Sequence, residues 1–223
     1  MATNTNFTSL TADITNYLER GGSQISDPTV AAQIPRIINA GERKLAQNLK
    51  LLGQIEVLVQ APIGLQANSA VVAKPDRWRS TVSMNYGGGP TGNTRAFLLP
   101  RSYEYLLSYW PDRTATDPTQ PPLFYADYDL NHWLIAPTPP QNYPFESVNY
   151  MQPRLLDAGN QSNFWTEYVP NCLLYECLME AALFLKDDQR LAIFKGELDQ
   201  EVQALNTQDL QRMMDRAAQR RAV

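Results

Sequence analysis

YVPNCLLYECLMEAALFLKDDQRLAIFKGELDQEVQALNTQD, residues 168–209, reads as two helices joined by a tight acidic turn. Pro170 suits a helix start, where its missing N–H would have no partner anyway. Leu173, Leu174, Cys177, Leu178, Ala181 and Leu185 then recur at helical spacing and form one apolar side. Lys186, Asp187 and Asp188 turn the chain, with Asp188 as the expected N-cap, and Leu191, Phe194, Leu198, Val202 and Leu205 carry the second apolar stripe. Two helices joined this closely pack antiparallel.

Upstream the material changes. Of the 16 prolines, 13 fall between Pro62 and Pro153, and only Pro170 lies beyond them. Proline breaks helix interiors and suits turns and sheet edges, so the middle is expected to be strands and loops between helical flanks. On the N-terminal flank, Thr8 or Ser9 is expected to cap a short helix carrying Leu10, Ile14, Tyr17 and Leu18 and ending at Gly21 and Gly22. Asp27 and Pro28 start a second helix, and Pro35 is expected to restart it. Ile34, Ile37, Ile38, Gly41, Leu45, Leu49 and Leu52 then supply one buried stripe.

The middle offers IEVLVQAP (55–62), RWRSTVSMNY (77–86), TRAFLLP (94–100) and FESVNYMQP (145–153) as strands, and PLFYADYDLNHWLIAP (122–137) as a hairpin turning near 128–131. SYEYLLSYW (102–110) reads as a brief helix capped by Ser102 and stopped by Pro111. The expected fold is therefore α+β: a helical bundle formed by the N- and C-terminal helices, with an inserted small antiparallel β-domain. Its parts are 1–53 (N-terminal helices), 54–155 (β-rich insert), 156–206 (C-terminal helical hairpin) and 207–223 (C-terminal extension).

Composition bounds the function. The 223 residues, 43% hydrophobic and 19% charged, suit a folded domain with a substantial core. A net charge of −4 gives no basic surplus for gripping a phosphate backbone. The start MATNTNFTSL has no basic segment followed by an apolar run, and no apolar stretch reaches membrane-spanning length, so no membrane association is expected. Cys172 and Cys177, five apart on one helix, point to different sides and are expected to stay reduced.

Catalytic motifs are lacking. Gly87, Gly88, Gly89 and Gly92 have neither the spacing nor the Lys and Ser/Thr of a phosphate loop, and they precede a strand, so a hairpin tip is the reading. His132 is the only histidine, which excludes multi-histidine metal sites and most Ser-His triads, and a structural role is expected for it. Asp127 with Asp129 and Asp187 with Asp188 read as turn and cap residues rather than acid-base pairs. No catalytic residue, metal site or cofactor is assigned. The aromatic residues between Tyr103 and Tyr150 are interleaved mostly with acidic charges, which suits packing and contact surfaces better than base stacking.

The extreme C-terminus is a candidate partner-binding segment. In TQDLQRMMDRAAQRRAV (207–223), Leu210, Met213, Met214, Ala217 and Ala218 share one helical face, while Arg212, Arg216 and Arg220 fall on another. Such a stripe suits docking into a groove on another protein.

Four strings in order carry a family resemblance: IPRIINAGERKLAQNLK (34–50), SYEYLLSYWPD (102–112), PPLFYADYDLNHWLIAPTPPQNYPFESVNYMQP (121–153) and WTEYVPNCLLYECLMEAALFLKDDQRLAIF (165–194). Together they resemble the head-to-tail adaptor, or connector, proteins of tailed bacteriophages. The resemblance implies a structural virion protein made in the host cytoplasm, not an enzyme. It implies a homo-oligomeric ring, typically a dodecamer, between the portal protein and tail or nozzle proteins, through which DNA passes without specific binding. It also implies that the C-terminal segment, with Leu210, Arg212, Met213, Met214, Arg216, Ala217 and Arg220, extends against the portal. The loop GGGPTGNTR and Gly41 depart from the family pattern. A different reading of the residues is a soluble binding module whose aromatic β-region holds a peptide, a glycan or single-stranded nucleic acid.

Overall fold

The computed structural model describes residues 5–18, 28–87 and 95–219, so the expected cap Asp27, the Gly21–Gly22 stop and Gly88, Gly89 and Gly92 lie outside the described residues. The described chain is mixed α+β, with six α-helices and a seven-stranded sheet. Its contacts cluster into two compact units, one of residues 1–54 with 152–223 and one of residues 55–151.

The first unit holds helices α1 (Phe7–Leu18), α2 (Pro28–Asn48), α4 (Phe164–Tyr168), α5 (Pro170–Leu185) and α6 (Asp188–Gln219). Helix α5 is the pivot and packs against α1, α2, α4 and α6. Its sequence explains this: Cys172, Leu173, Cys177, Leu178, Ala181 and Ala182 are all buried, and residues of such spread cover more than one face. Leu10 and Ile14 of α1, Ile34, Ile38 and Leu45 of α2, and Phe194 and Leu198 of α6 complete one apolar core.

Local chemistry moves three expected boundaries. The first helix is capped by Asn6, whose side-chain Oδ1 accepts from the Ser9 N–H at 2.8 Å while the Ser9 hydroxyl accepts from the Asn6 N–H at 2.9 Å. Ser9 and Thr8 are thus inside the helix, and Ser9 closes a reciprocal capping box. Helix α2 runs on through Pro35 instead of restarting there. Proline forfeits one backbone bond, which the buried Ile34, Ile38 and Leu45 offset by packing. At the tight turn Asp187, not Asp188, is the cap: its carboxylate accepts from the Arg190 N–H at 3.3 Å. Lys186 closes α5 in the left-handed conformation (φ 57°), and the Asp187 N–H reaches back to the Ala182 carbonyl at 3.0 Å, as a helix ending of that kind requires.

The second unit is built on strands β1 (Ile55–Leu65), β2 (Val71–Ala73), β3 (Trp78–Tyr86), β4 (Ala96–Pro100), β5 (Phe124–Asp127), β6 (His132–Ala136) and β7 (Tyr143–Met151), in the order β1-β7-β3-β4-β5-β6-β2. The sheet is larger than a small antiparallel one and not wholly antiparallel, because β4 and β5 pair in parallel. Parallel neighbours need a crossover, and the segment carrying α3 (Tyr103–Tyr109) supplies it. Ser102 caps α3 as expected, accepting from the Tyr105 N–H at 3.2 Å. The sheet curls: Leu65, Val72, Met84, Leu98, Tyr125, Trp133 and Phe145, one from each strand, meet in a single inner core. On the outer face α3 covers the β5–β6 end, burying Leu106 against Ala126, Leu134 and Ala136.

Candidate functional site

Buried ionisable groups are the first places to look for chemistry. Glu42 is almost wholly buried on α2, where its carboxylate accepts from the Leu156 N–H at 2.9 Å and from the Asn163 side-chain amide. Burial pushes its pKa up, against the pull of those two donors, and the charge of Asp157 adds to the rise. Asn163 caps α4 as well, accepting from the Trp165 N–H at 3.1 Å, and donates to the Arg154 carbonyl at 2.8 Å. Glu42 therefore fastens the segment before α4 to α2. Its signal in the sequence was its position, four residues after Ile38 and three before Leu45, within the buried stripe.

Glu176 on α5 is the second buried carboxyl, raised by burial and by Glu180 and eased by Lys44, which is itself paired with Glu180. Both cysteines are free and buried. Burial raises Cys172 to about 11 and also pushes the Cys177 thiol well above its ordinary value, which keeps both as unreactive thiols at neutral pH.

In the second unit each carboxylate singled out has a structural partner. Asp127 accepts from the buried Lys74 ammonium at 2.8 Å; Lys74 also donates to the Asp129 carbonyl at 2.8 Å and lies 3.7 Å over the Trp78 ring. Asp129 binds His132 Nδ1 at 2.9 Å, and this partner holds the Asp129 carboxyl below its ordinary range. Asp187 pairs with Arg190 across the helical turn. Among the described residues no group of three or more His, Cys, Asp or Glu is set to hold a metal ion, and no helix is long and apolar enough to cross a membrane.

Apolar surface is what remains. At the tip of the helical hairpin Leu183, Phe184, Leu185 and Ile193 are all exposed, Ile193 by 63%. In the second unit, the part of the outer sheet face that α3 leaves open carries Val57, Val59, Phe97 and Leu99, each half exposed or more. By register Val59, Glu146, Asn85 and Phe97 form one row across four strands. Glu146 at its centre accepts from Asn85 at 3.0 Å and from Arg95 at 3.1 Å. Beside this face Tyr105 and Tyr109 stack at 6.0 Å, both edge-on to Phe124, with the Arg101 guanidinium 5.4 Å from the Phe124 ring. On the sheet face the two apolar pairs are separated by the polar Glu146 and Asn85 of β7 and β3, while the hairpin tip groups four exposed apolar residues, the kind of surface that suits a contact.

The C-terminal candidates lie on α6. Leu210 is 56% exposed. Arg212, Met213, Met214, Arg216 and Ala217 fall on its helical backbone, with their side chains outside the described residues, as is Arg220 altogether. Among the described residues, the last apolar side chain of α6 packed against the core of its own unit is Leu205, which with Gln208 and Asp209 also lines a groove shared with Leu51, Phe164 and Tyr168.

The sequence model of the SU10 adaptor protein family matches residues 5–222, and the chain belongs to that family. It is thus a structural adaptor of a bacteriophage, a virion component that meets other head or tail proteins. No curated protein matches the chain.

Proposed function

We propose that this adaptor works at the head-to-tail junction: copies close into a ring, a dodecamer by resemblance, between the portal and the tail or nozzle proteins, and the ring conducts DNA. In this reading the helices form a bundle that carries the β-unit as an insert. The observation that carries it is the length of α6. At 32 residues it is twice as long as α5, and among the described residues Leu205 is its last apolar side chain packed against the core of its own unit, with Leu210 exposed. The remaining turns form a rod of helix suited to a groove on the portal.

A ring needs heterologous contacts, in which one face of a subunit meets a different face of the next. The apolar hairpin tip and the open sheet face are two such distinct surfaces. The mild negative charge of the chain repels phosphates weakly, which suits a channel that passes DNA without holding it. Mass measurement in solution on the chain mixed with portal protein tests the proposal. A ring-sized complex is expected; a persistent monomer overturns it.

A further inference from the structure

The sheet of the second unit curls far enough to form one inner core, yet its two edge strands do not pair. β1 and β2 border a groove of about 620 Å³ lined by Val59, Gln60, Gly64, Val71, Ala73 and His132. Hydrogen-bond alternation shows what the walls of this seam present. The Ile135 N–H donates to the Ala70 carbonyl and the Lys74 N–H to the Asn131 carbonyl, so on β2 residues 70, 72 and 74 face β6. Val71 and Ala73 then direct their N–H groups into the seam. The Val71 carbonyl, which faces the same way, is met by the Ser69 hydroxyl at 3.0 Å.

On the other wall, the Gly87 N–H donates to the Pro144 carbonyl, which turns the even-numbered residues of β7 toward β3 and the odd-numbered ones toward β1. Phe145, Ser147 and Asn149 therefore bond Gln60, Leu58 and Glu56. Val57 and Val59 are left with their main-chain groups aimed away from β7 on the open edge of β1, and of the two Val59 lines the groove. Both walls are thus strand edges; on β1 the pairing with β7 is regular over residues 55–60 and shifts register before Leu65. Folds usually protect such edges, and closure of a barrel removes them.

We propose that this seam takes an extended segment of another virion protein as an eighth strand, which pairs with β1 and β2 and closes the barrel. The segment has apolar side chains at alternate positions, because Val57 and Val59 on one side and Val71 on the other would flank them on the outer face. A second copy of this chain is a poor donor: among the described residues every strand is already paired in the sheet, and the two edges face each other across the groove. The proposal rests on the adaptor reading for the presence of such partners, and it does not require a ring.

Amide hydrogen exchange at Val57, Val59, Val71 and Ala73, compared between the purified chain and intact virions, tests it. Fast exchange in the purified chain and strong protection in virions is the expected result. Fast exchange in both overturns the seam while leaving the adaptor reading intact, since the virion contains the chain with or without a ring. Protection already present in the purified chain overturns it too, because the occupant is then the chain itself or a second copy. Val59→Pro removes a seam-facing N–H and no bond to β7, so this variant is expected to fold and to lose the protection of Val71 and Ala73 in virions. Leu58→Pro is expected to unfold the strand; if it is tolerated and Val59→Pro is not, the edge orientation is reversed and the proposal fails.

Discussion

A Cβ placed on Gly41 of α2 would lie 3.0 Å from the sulfur of Cys177 on α5, and 3.4 Å from the Cys177 backbone nitrogen. Two helices of the core approach that closely only because residue 41 has no side chain. Gly41→Leu is expected to lower unfolding stability by about 1–3 kcal/mol through overpacking. In the Cys177→Ala background, Gly41→Ala should cost less than it does alone, since the sulfur it meets is gone. Urea unfolding of the four variants of that cycle reads the coupling directly.

Asn163 joins three segments at once, and its loss should be felt beyond a missing cap. Asn163→Ala removes the α4 cap, worth roughly 1 kcal/mol, and takes a donor from the buried Glu42 carboxylate, worth a further 1–3 kcal/mol or so. A chemical unfolding midpoint like that of the wild type would show that Glu42 and Leu156 hold this segment without Asn163.

Stability should rise as the pH is lowered from neutral toward 4.5, as far as Glu42 and Glu176 contribute. Both carboxyls stand above their ordinary value of 4.5 in the folded chain, mainly because burial disfavours their charged form. The folded state therefore binds these protons more readily than the unfolded one. The stability that protonation confers is complete below the unfolded value and is lost as pH rises through the raised folded value. Glu176→Gln should raise the melting temperature at pH 7, leave it nearly unchanged at pH 4.5, and so narrow the gap between the two.

Leu178 is fully buried at the centre of α5. Leu178→Asp would place an unpaired charge in the core of the helical unit, at a cost of at least ~4 kcal/mol, enough to unfold many domains of this size. Far-UV circular dichroism and a melting curve check this.

Deleting residues 210–223 should leave the melting temperature unchanged, because among the described residues the apolar packing of α6 on its core runs to Leu205 and Leu210 is exposed. The same deletion is expected to abolish attachment to portal protein in a pull-down, which tests the C-terminal docking proposal separately from the fold.

Much of the secondary structure was legible because its causes are local. The apolar spacing of 173–185 and 191–205 marked the hairpin helices, and Ser102 ahead of a short apolar run marked α3. The turn after Asp127 marked the β5–β6 hairpin. The cap at Asn6 was missed because Thr8, Ser9 and Asn6 all suit caps, and only the closed capping box between Asn6 and Ser9 decides among them. β2 was missed because three residues carry no usable period. Among the candidate site residues Leu210 is exposed, and whether it meets a partner is what the deletion of residues 210–223 tests.

Periodicity, caps and turn residues act over a few positions, and they alone determined that this chain has helical flanks, a strand-rich middle and no recognisable catalytic motif. Pairings between distant residues needed the tertiary structure. The parallel match of β4 with β5, the burial of Glu42 and Glu176, the approach of Gly41 to Cys177 and the open seam between β1 and β2 were all decided there. Each depends on which surfaces meet after the chain has folded, and a one-dimensional pattern carries no term for a neighbour a hundred residues away.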